Sequence, residues 1–154
     1  MEIWEQLRVA AERLERAGCD SPRLDAEVLL AHVLGLDRTQ LFARGHELLS
    51  TDAQRDYESH LGRRENREPL AYIVHNKAFY GLDFYVDDRV LIPRPETELL
   101  VEEALRAARE AAPDGALTIA DIGTGSGAVA VSLAVHLPDA VIYAVDESAA
   151  ALAV

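Results

Sequence analysis

From Ala116 to Asp146 the sequence reads ALTIADIGTGSGAVAVSLAVHLPDAVIYAVD, two apolar stretches separated by a loop with glycine at 123, 125 and 127 and by a third apolar run. No other part of the chain restricts its fold as much. A short apolar run that stops at alternating glycines is a strand turning sharply into a helix, because glycine adopts positive φ and lets backbone or ligand come close. AVAVSLAVH is long enough to be that helix, Leu137-Pro138-Asp139 breaks it, and AVIYAVD returns as a second strand. A strand-helix-strand unit of this length pairs its strands in parallel, and strands apolar on both faces suit a sheet covered on both sides. Pro113-Asp114-Gly115 is read as the turn before the unit, and a further helix is expected to begin near Ser148.

The glycine loop is compatible with two classes of ligand. Residues 123–128 fit G-x-G-x-x-A, the dinucleotide fingerprint, and Asp146 lies 23 residues beyond Gly123, where a ribose-binding acid belongs. Asp121, two residues before the first glycine, favours the other class. Its carboxylate would repel a pyrophosphate, whereas S-adenosylmethionine has no phosphate and presents an ammonium and a sulfonium. Asp146 can accept from both ribose hydroxyls. The candidate cofactor-binding residues on this reading are Asp121, Gly123, Gly125, Gly127 and Asp146. A P-loop is excluded, since no Gly-Lys-Ser/Thr follows.

Upstream the periodicity is helical. Trp4, Leu7, Ala11, Leu14 and Ala17 recur on one face until Gly18, with Trp4 read as core. Ser21-Pro22 opens RLDAEVLLAHVL, which stops at Gly35, and a shorter helix covers residues 38–43. Thr51 and Gln54 form an expected capping box for a helix through Arg64, whose end, with Arg63, Arg64 and Arg67, is read as solvated. AFYGLDFYV then reads as a hairpin around Gly81, Val90-Leu91-Ile92 as a short strand, and PETELLVEEALRAAREAA as a helix with Leu100, Ala104 and Leu105 along one stripe. The excess of 27 Asp+Glu over 15 Lys+Arg, net charge −12, argues against direct nucleic-acid binding. The lone Cys19 cannot form an internal disulfide, no apolar run approaches the roughly 20 residues of a membrane span, and the five histidines lack ligand-like spacing, so a reducing cytoplasmic setting without a metal site is expected.

VLIPRPETELLVEEAL, ADIGTGSGAVAVSLA and YAVDESAAAL together resemble the HemK/PrmC family, the N5-glutamine methyltransferases of peptide chain release factors. DSPRLDAEVLLAHVLG and EPLAYIVHNKAFYGLDFYVDDRVLIPRPETE resemble that family's helical domain and hairpin linker. The resemblance implies S-adenosylmethionine as cofactor, held by Gly123, Thr124, Gly125, Ser126 and Gly127 with Asp146 on the ribose, and release factors as partners. It also implies methyl transfer to the side-chain amide nitrogen of glutamine in a Gly-Gly-Gln motif, with Arg94 and Thr97 as possible cofactor- or substrate-side contacts. It assigns orientation of the amide to an Asn-Pro-Pro-Tyr motif, which these 154 residues do not contain. His75 stands where the family usually has glycine.

The expected architecture is a small N-terminal α-helical bundle, a β-hairpin linker, and the start of an α/β Rossmann-like S-adenosylmethionine-dependent methyltransferase domain. The expected boundaries are 1–72 for the helical substrate-recognition domain, 73–92 for the linker and 93–154 for a partial methyltransferase domain. Two parallel strands are fewer than a doubly wound sheet uses, so the chain is expected to be a fragment without activity of its own. The alternatives are a non-catalytic module that docks release factors, and a methyltransferase acting on another protein, a nucleic acid or a small molecule.

Overall fold

A computed structural model describes residues 1–112 and 117–154; the turn expected at Pro113-Asp114-Gly115 lies outside them. The chain forms two compact units, Met1–Val74 and His75–Val154.

The first unit contains α1 (Ile3–Arg16), α2 (Pro22–Leu34), α3 (Arg38–Ala43), α4 (Thr51–Glu65) and α5 (Leu70–Val74). Its core gathers Ile3, Leu7, Ala10 and Leu14 of α1, Ala26, Leu29 and Leu30 of α2, Leu41 of α3, Tyr57 and Leu61 of α4, and Ile73 of α5. Each helix buries one stripe and none has a core of its own. The buried stripe of α1 is turned from the expected one: Ile3 and Ala10 are inside, Ala11 and Ala17 only partly so, and Trp4 is 37% exposed. The reason lies at Gly45, where a Cβ would fall on the indole, within 2.5 Å of Cδ1 and nearer still to Nε1 and Cε2. The ring lies in the space that glycine leaves and stacks on Phe42, centroids 5.3 Å apart.

Helix ends correct the expected caps. Ser50, not Thr51, caps α4, its Oγ accepting from Ala53 N at 3.2 Å. The reciprocal capping box belongs to α3, where Asp37 accepts from Gln40 N at 2.7 Å and Gln40 Oε1 accepts from Asp37 N at 3.0 Å. Pro22 takes the first position of α2, while Ser21 makes no side-chain cap. The arginines at the end of α4 are engaged within the unit. Arg64 Nε donates to the buried Asp25 at 2.8 Å, Arg63 pairs with Glu68 at 2.5 Å, and Arg67 donates to the Gly18 carbonyl. They tie α4 to α2, to the approach to α5 and to the end of α1, where a solvated helix end was expected.

The second unit contains β1 (Lys77–Phe79), β2 (Leu82–Phe84), α6 (Thr97–Ala111), β3 (Thr118–Ile122), α7 (Ala128–His136) and β4 (Val141–Val145). Strands β1 and β2 form an antiparallel hairpin with Phe79 opposite Leu82. Its two turn residues, Tyr80 and Gly81, have φ of +50° and +75°, the pattern of a primed turn. Strands β3 and β4 pair in parallel with α7 between them, Thr118 opposite Val141 through Ile122 opposite Val145. Phe79, Phe84, Val101, Leu105, Ala128 and Leu133 form the core.

Three expectations fail here. Val90-Leu91-Ile92 is not a strand, because Asp87 Oδ1 accepts from Arg89 N at 3.0 Å and turns the chain, and Pro93 follows. Helix α6 begins at Thr97 and buries Val101, Leu105 and Ala108, leaving Leu100 57% exposed. After Ser148 the chain makes turns, with Leu152 N donating to Ser148 O at 3.1 Å, and no helix. The parallel pair is also covered on one face only. Ile119 and Ile142 pack on the core, while Ile122, Val141, Tyr143 and Val145 on the opposite face are exposed.

Candidate functional site

The glycine loop follows β3 and turns back over the end of β4. Gly123 N and Thr124 N both donate to Val145 O, at 2.7 and 3.0 Å. Gly123, Gly125 and Gly127 have φ of +82°, +56° and +75°, so each glycine is where L side chains would be strained. A Cβ at Gly123 or Gly125 would meet nothing within 4 Å. The restriction at these two positions is therefore conformational, and the space above them is open. Gly127 caps α7, and Val131 N donates to its carbonyl at 2.8 Å.

The two acids flank this loop in different ways. Asp121, the fourth residue of β3, accepts from Thr124 Oγ1 at 2.7 Å, a bond that spans the turn. Asp146, one residue past β4, accepts from Gly125 N through Oδ2 and from Ser148 N through Oδ1, both at 2.9 Å. These backbone donors, Ser148 first, then Gly125, with a smaller contribution from Glu147, hold its carboxyl below the usual carboxylate range. Asp146 is thus an ionised acceptor of fixed orientation, with acceptor capacity left beyond these bonds.

A cleft of about 140 Å³ opens over the loop, lined by Leu91, Ile92, Pro93, Arg94, Thr97, Asp121, Gly123, Thr124, Gly125, Ser126, Ala128 and Val129. Most of the residues singled out in the sequence meet there, including Arg94 and Thr97, which are distant from the loop along the chain. Gly127 and Asp146 are outside the lining; Asp146 joins through its bond to Gly125 N. Leu91, Ile92 and Pro93 were missed as wall residues. They had been read as a strand and its breaker, although their place immediately before Arg94 was a usable signal. The segment is held by the Asp87–Arg89 pair, whose guanidinium brings the Asp87 carboxyl down to about 2.

The cleft lies at the carboxyl ends of parallel strands, where open α/β sheets bind ligands, and its lining sets backbone amides, the Thr97, Thr124 and Ser126 hydroxyls and the Arg94 guanidinium beside the Asp121 carboxylate. Residues 5–74 match the family model described as the PrmC N-terminal domain. Proteins named release factor glutamine methyltransferase align along the chain. That of Burkholderia pseudomallei is 48% identical over 145 residues, 93% of this chain and 48% of the relative. The Moorella thermoacetica protein is 44% identical over 154 residues, 100% of this chain and 53% of the relative. The Escherichia coli protein is 41% identical over 146 residues, 95% and 50%. Residues 5–74 thus resemble the PrmC N-terminal domain, and most of the chain is similar to part of proteins named release factor glutamine methyltransferase. It spans about half the length of the curated relatives it matches. Among the described residues no helix is long and apolar enough to cross a membrane.

Proposed function

We propose that the second unit is the beginning of a Rossmann-like methyltransferase domain and that its glycine loop holds S-adenosylmethionine. A protein of the relatives' length containing this chain would use that cofactor to methylate the glutamine side-chain nitrogen of the Gly-Gly-Gln motif in peptide chain release factors. The observation that carries the reading is the convergence of Arg94 and Thr97 with the loop and Asp121 on one cleft. The donor set fits the cofactor. Open space over Gly123 and Gly125 admits a ligand to the backbone, Asp121 suits a cation, and Asp146 has lone pairs for ribose hydroxyls. A pyrophosphate against the loop would meet the Asp121 carboxylate at close range.

When bound, S-adenosylmethionine supplies an electrophilic methyl group on its sulfonium. The work of this chain is to bind and orient. Thr124 fixes Asp121, Gly125 fixes Asp146, and Leu91, Ile92 and Pro93 line one side of the cleft. A cleft of about 140 Å³ is smaller than the roughly 300–1,000 Å³ of complete small-molecule sites, so these residues form part of a cradle. The amide nitrogen is a poor nucleophile that needs a group to orient it, and the Asn-Pro-Pro-Tyr motif that the resemblance assigns to this does not occur here. Alone, the chain is proposed to bind cofactor without transferring methyl. Calorimetry with S-adenosylmethionine tests the binding: heat that disappears in Asp146→Ala supports it, and its absence in the wild type refutes it. Methylation of a release factor and of DNA by a protein of full relative length tests the acceptor.

One feature favours docking as a second role. In the helical unit a groove of about 450 Å³ runs between α1 and α2, with Leu7, Ala11 and Pro22 as its apolar floor and Arg8, Glu12, Glu15 and Arg23 along its rim. Release-factor binding that persists in residues 1–74 without cofactor would support the module reading.

A further inference from the structure

We propose that Glu98 is a positioning residue: by accepting the backbone N–H of Tyr80 it fastens the hairpin turn to the first turn of α6, closes the segment 81–97 between them, and so sets the wall that faces the glycine loop. The part concerning ligand rests on the cofactor reading above.

Glu98 lies in the first turn of α6, where an acid is ordinarily explained by the helix dipole. Its geometry is more specific. Glu98 Oε1 lies 2.9 Å from Tyr80 N, a partly buried bond across 18 residues. Tyr80 is the first turn residue of the hairpin, and because Phe79 and Leu82 pair with each other, its N–H points out of the ladder without a strand partner. Glu96, two residues earlier at the N-cap, has the same charge and makes no cap bond. The difference between the two acids is the donor that Glu98 meets.

The bond ties the hairpin turn to the start of α6, and β2 and the cleft-lining loop lie between its two partners. The chain leaves the hairpin after Phe84, buries Val86 and Val90, turns on the Asp87–Arg89 pair, passes Leu91, Ile92, Pro93 and Arg94, and enters α6 at Thr97, beside Glu98. Thr97 N donates to Arg94 O and Glu98 N to Pro95 O, each at 3.0 Å, so the cleft-lining end of the loop is continuous with the helix turn that carries the carboxylate. Without the clasp the loop remains tied by its buried valines, but the hairpin turn can part from α6 and the wall can move away from residues 123–126.

The test compares wild type with Glu98→Gln, Glu98→Ala and Val101→Ala. Gln keeps the acceptor and removes the charge, Ala removes both, and Val101→Ala loosens the same helix in the core, where Val101 is fully buried. Amide exchange is read at Tyr80, Val90 and Thr97 against Ile119 and Ile142, and S-adenosylhomocysteine is titrated against the Gly123 and Gly125 amide resonances. Glu98→Ala is expected to speed exchange at Tyr80, Val90 and Thr97 about tenfold, without change at the sheet amides, and to weaken the titration about five- to tenfold. Glu98→Gln should stay within about threefold of wild type in both. Val101→Ala should lower the melting temperature without this selective pattern.

Unchanged exchange in Glu98→Ala overturns the clasp. Equal loss in Gln and Ala assigns the residue to the helix dipole and overturns it as well. Faster exchange with an unaltered titration overturns the link to the ligand wall. Absence of titration in wild type refutes the cofactor reading and the ligand half of this inference together, while exchange still decides the clasp.

Discussion

Gly45→Ala isolates the packing that turns α1 from its expected face. The substitution adds one methyl group at ordinary backbone geometry, so its effect is steric, and the added Cβ overlaps the Trp4 indole. Either the ring leaves the Phe42 stack or the 44–47 turn moves, and that turn carries the bonds from Ile3 N to Glu47 O and from Trp4 N to Gly45 O, at 3.1 and 3.0 Å. Expelling an aromatic that buries roughly 150 Å², at about 25 cal/mol per Å², costs up to about 4 kcal/mol, and the stack adds about 0.5–1.5. Because the indole is already 37% exposed, it can swing outward and keep part of its contact, which lowers the expected loss to about 2–4 kcal/mol. With an m-value of about 1–3 kcal/mol/M this moves the urea midpoint down by roughly 1–2 M. Trp4 is the sole tryptophan, so its fluorescence reports on this site directly. The variant should show red-shifted native emission and an earlier transition, and a double variant Gly45→Ala/Trp4→Leu should recover part of the midpoint. Native emission and midpoint both equal to wild type would refute the reasoning.

Arg64→Ala should cost about 3–5 kcal/mol in chemical denaturation, because it strands a carboxylate at Asp25 that is only 5% exposed; Asp25→Asn/Arg64→Met should be milder than Arg64→Ala. His75 has φ +51°, is stacked on Tyr85 at 5.3 Å and lies 3.3 Å through Nδ1 from Val86 O. His75→Gly relieves about 1–2 kcal/mol of left-handed strain while losing the stack, whereas His75→Ala keeps the strain, so the melting temperature of Gly should exceed that of Ala. Asp146 titrates below its unfolded value of about 3.9. Its contribution is therefore complete above that pH and lost as the pH falls through the lower native value. The Gly125 amide resonance should follow this acid transition, and Asp146→Asn should abolish it.

Periodicity was enough to delimit most helices, since a helix must hide one stripe whatever it packs against; α1, α2, α3 and α4 lie within a residue or two of their expected bounds. The loop glycines were equally legible, because positive φ at 123, 125 and 127 is a local demand that only glycine meets freely. Which face turns inward was not legible. Trp4 against Ile3, and Leu100 against Val101, are choices made by neighbours from other elements, such as the space left at Gly45. The arginines after α4 show the same limit, since nothing in their own segment indicates Asp25, Glu68 or the Gly18 carbonyl as partners.

At the candidate site the division is sharper. Sequence alone determined the strand, the glycine turn, the helix and the two acids, whose consequences are local in backbone geometry and charge. Only tertiary structure decided that Arg94 and Thr97 lie over the loop, that Asp146 is fastened to Gly125, and that Glu98 reaches Tyr80. Those relations join residues far apart along the chain, and they exist only once the buried faces of α6, α7 and the hairpin have packed together.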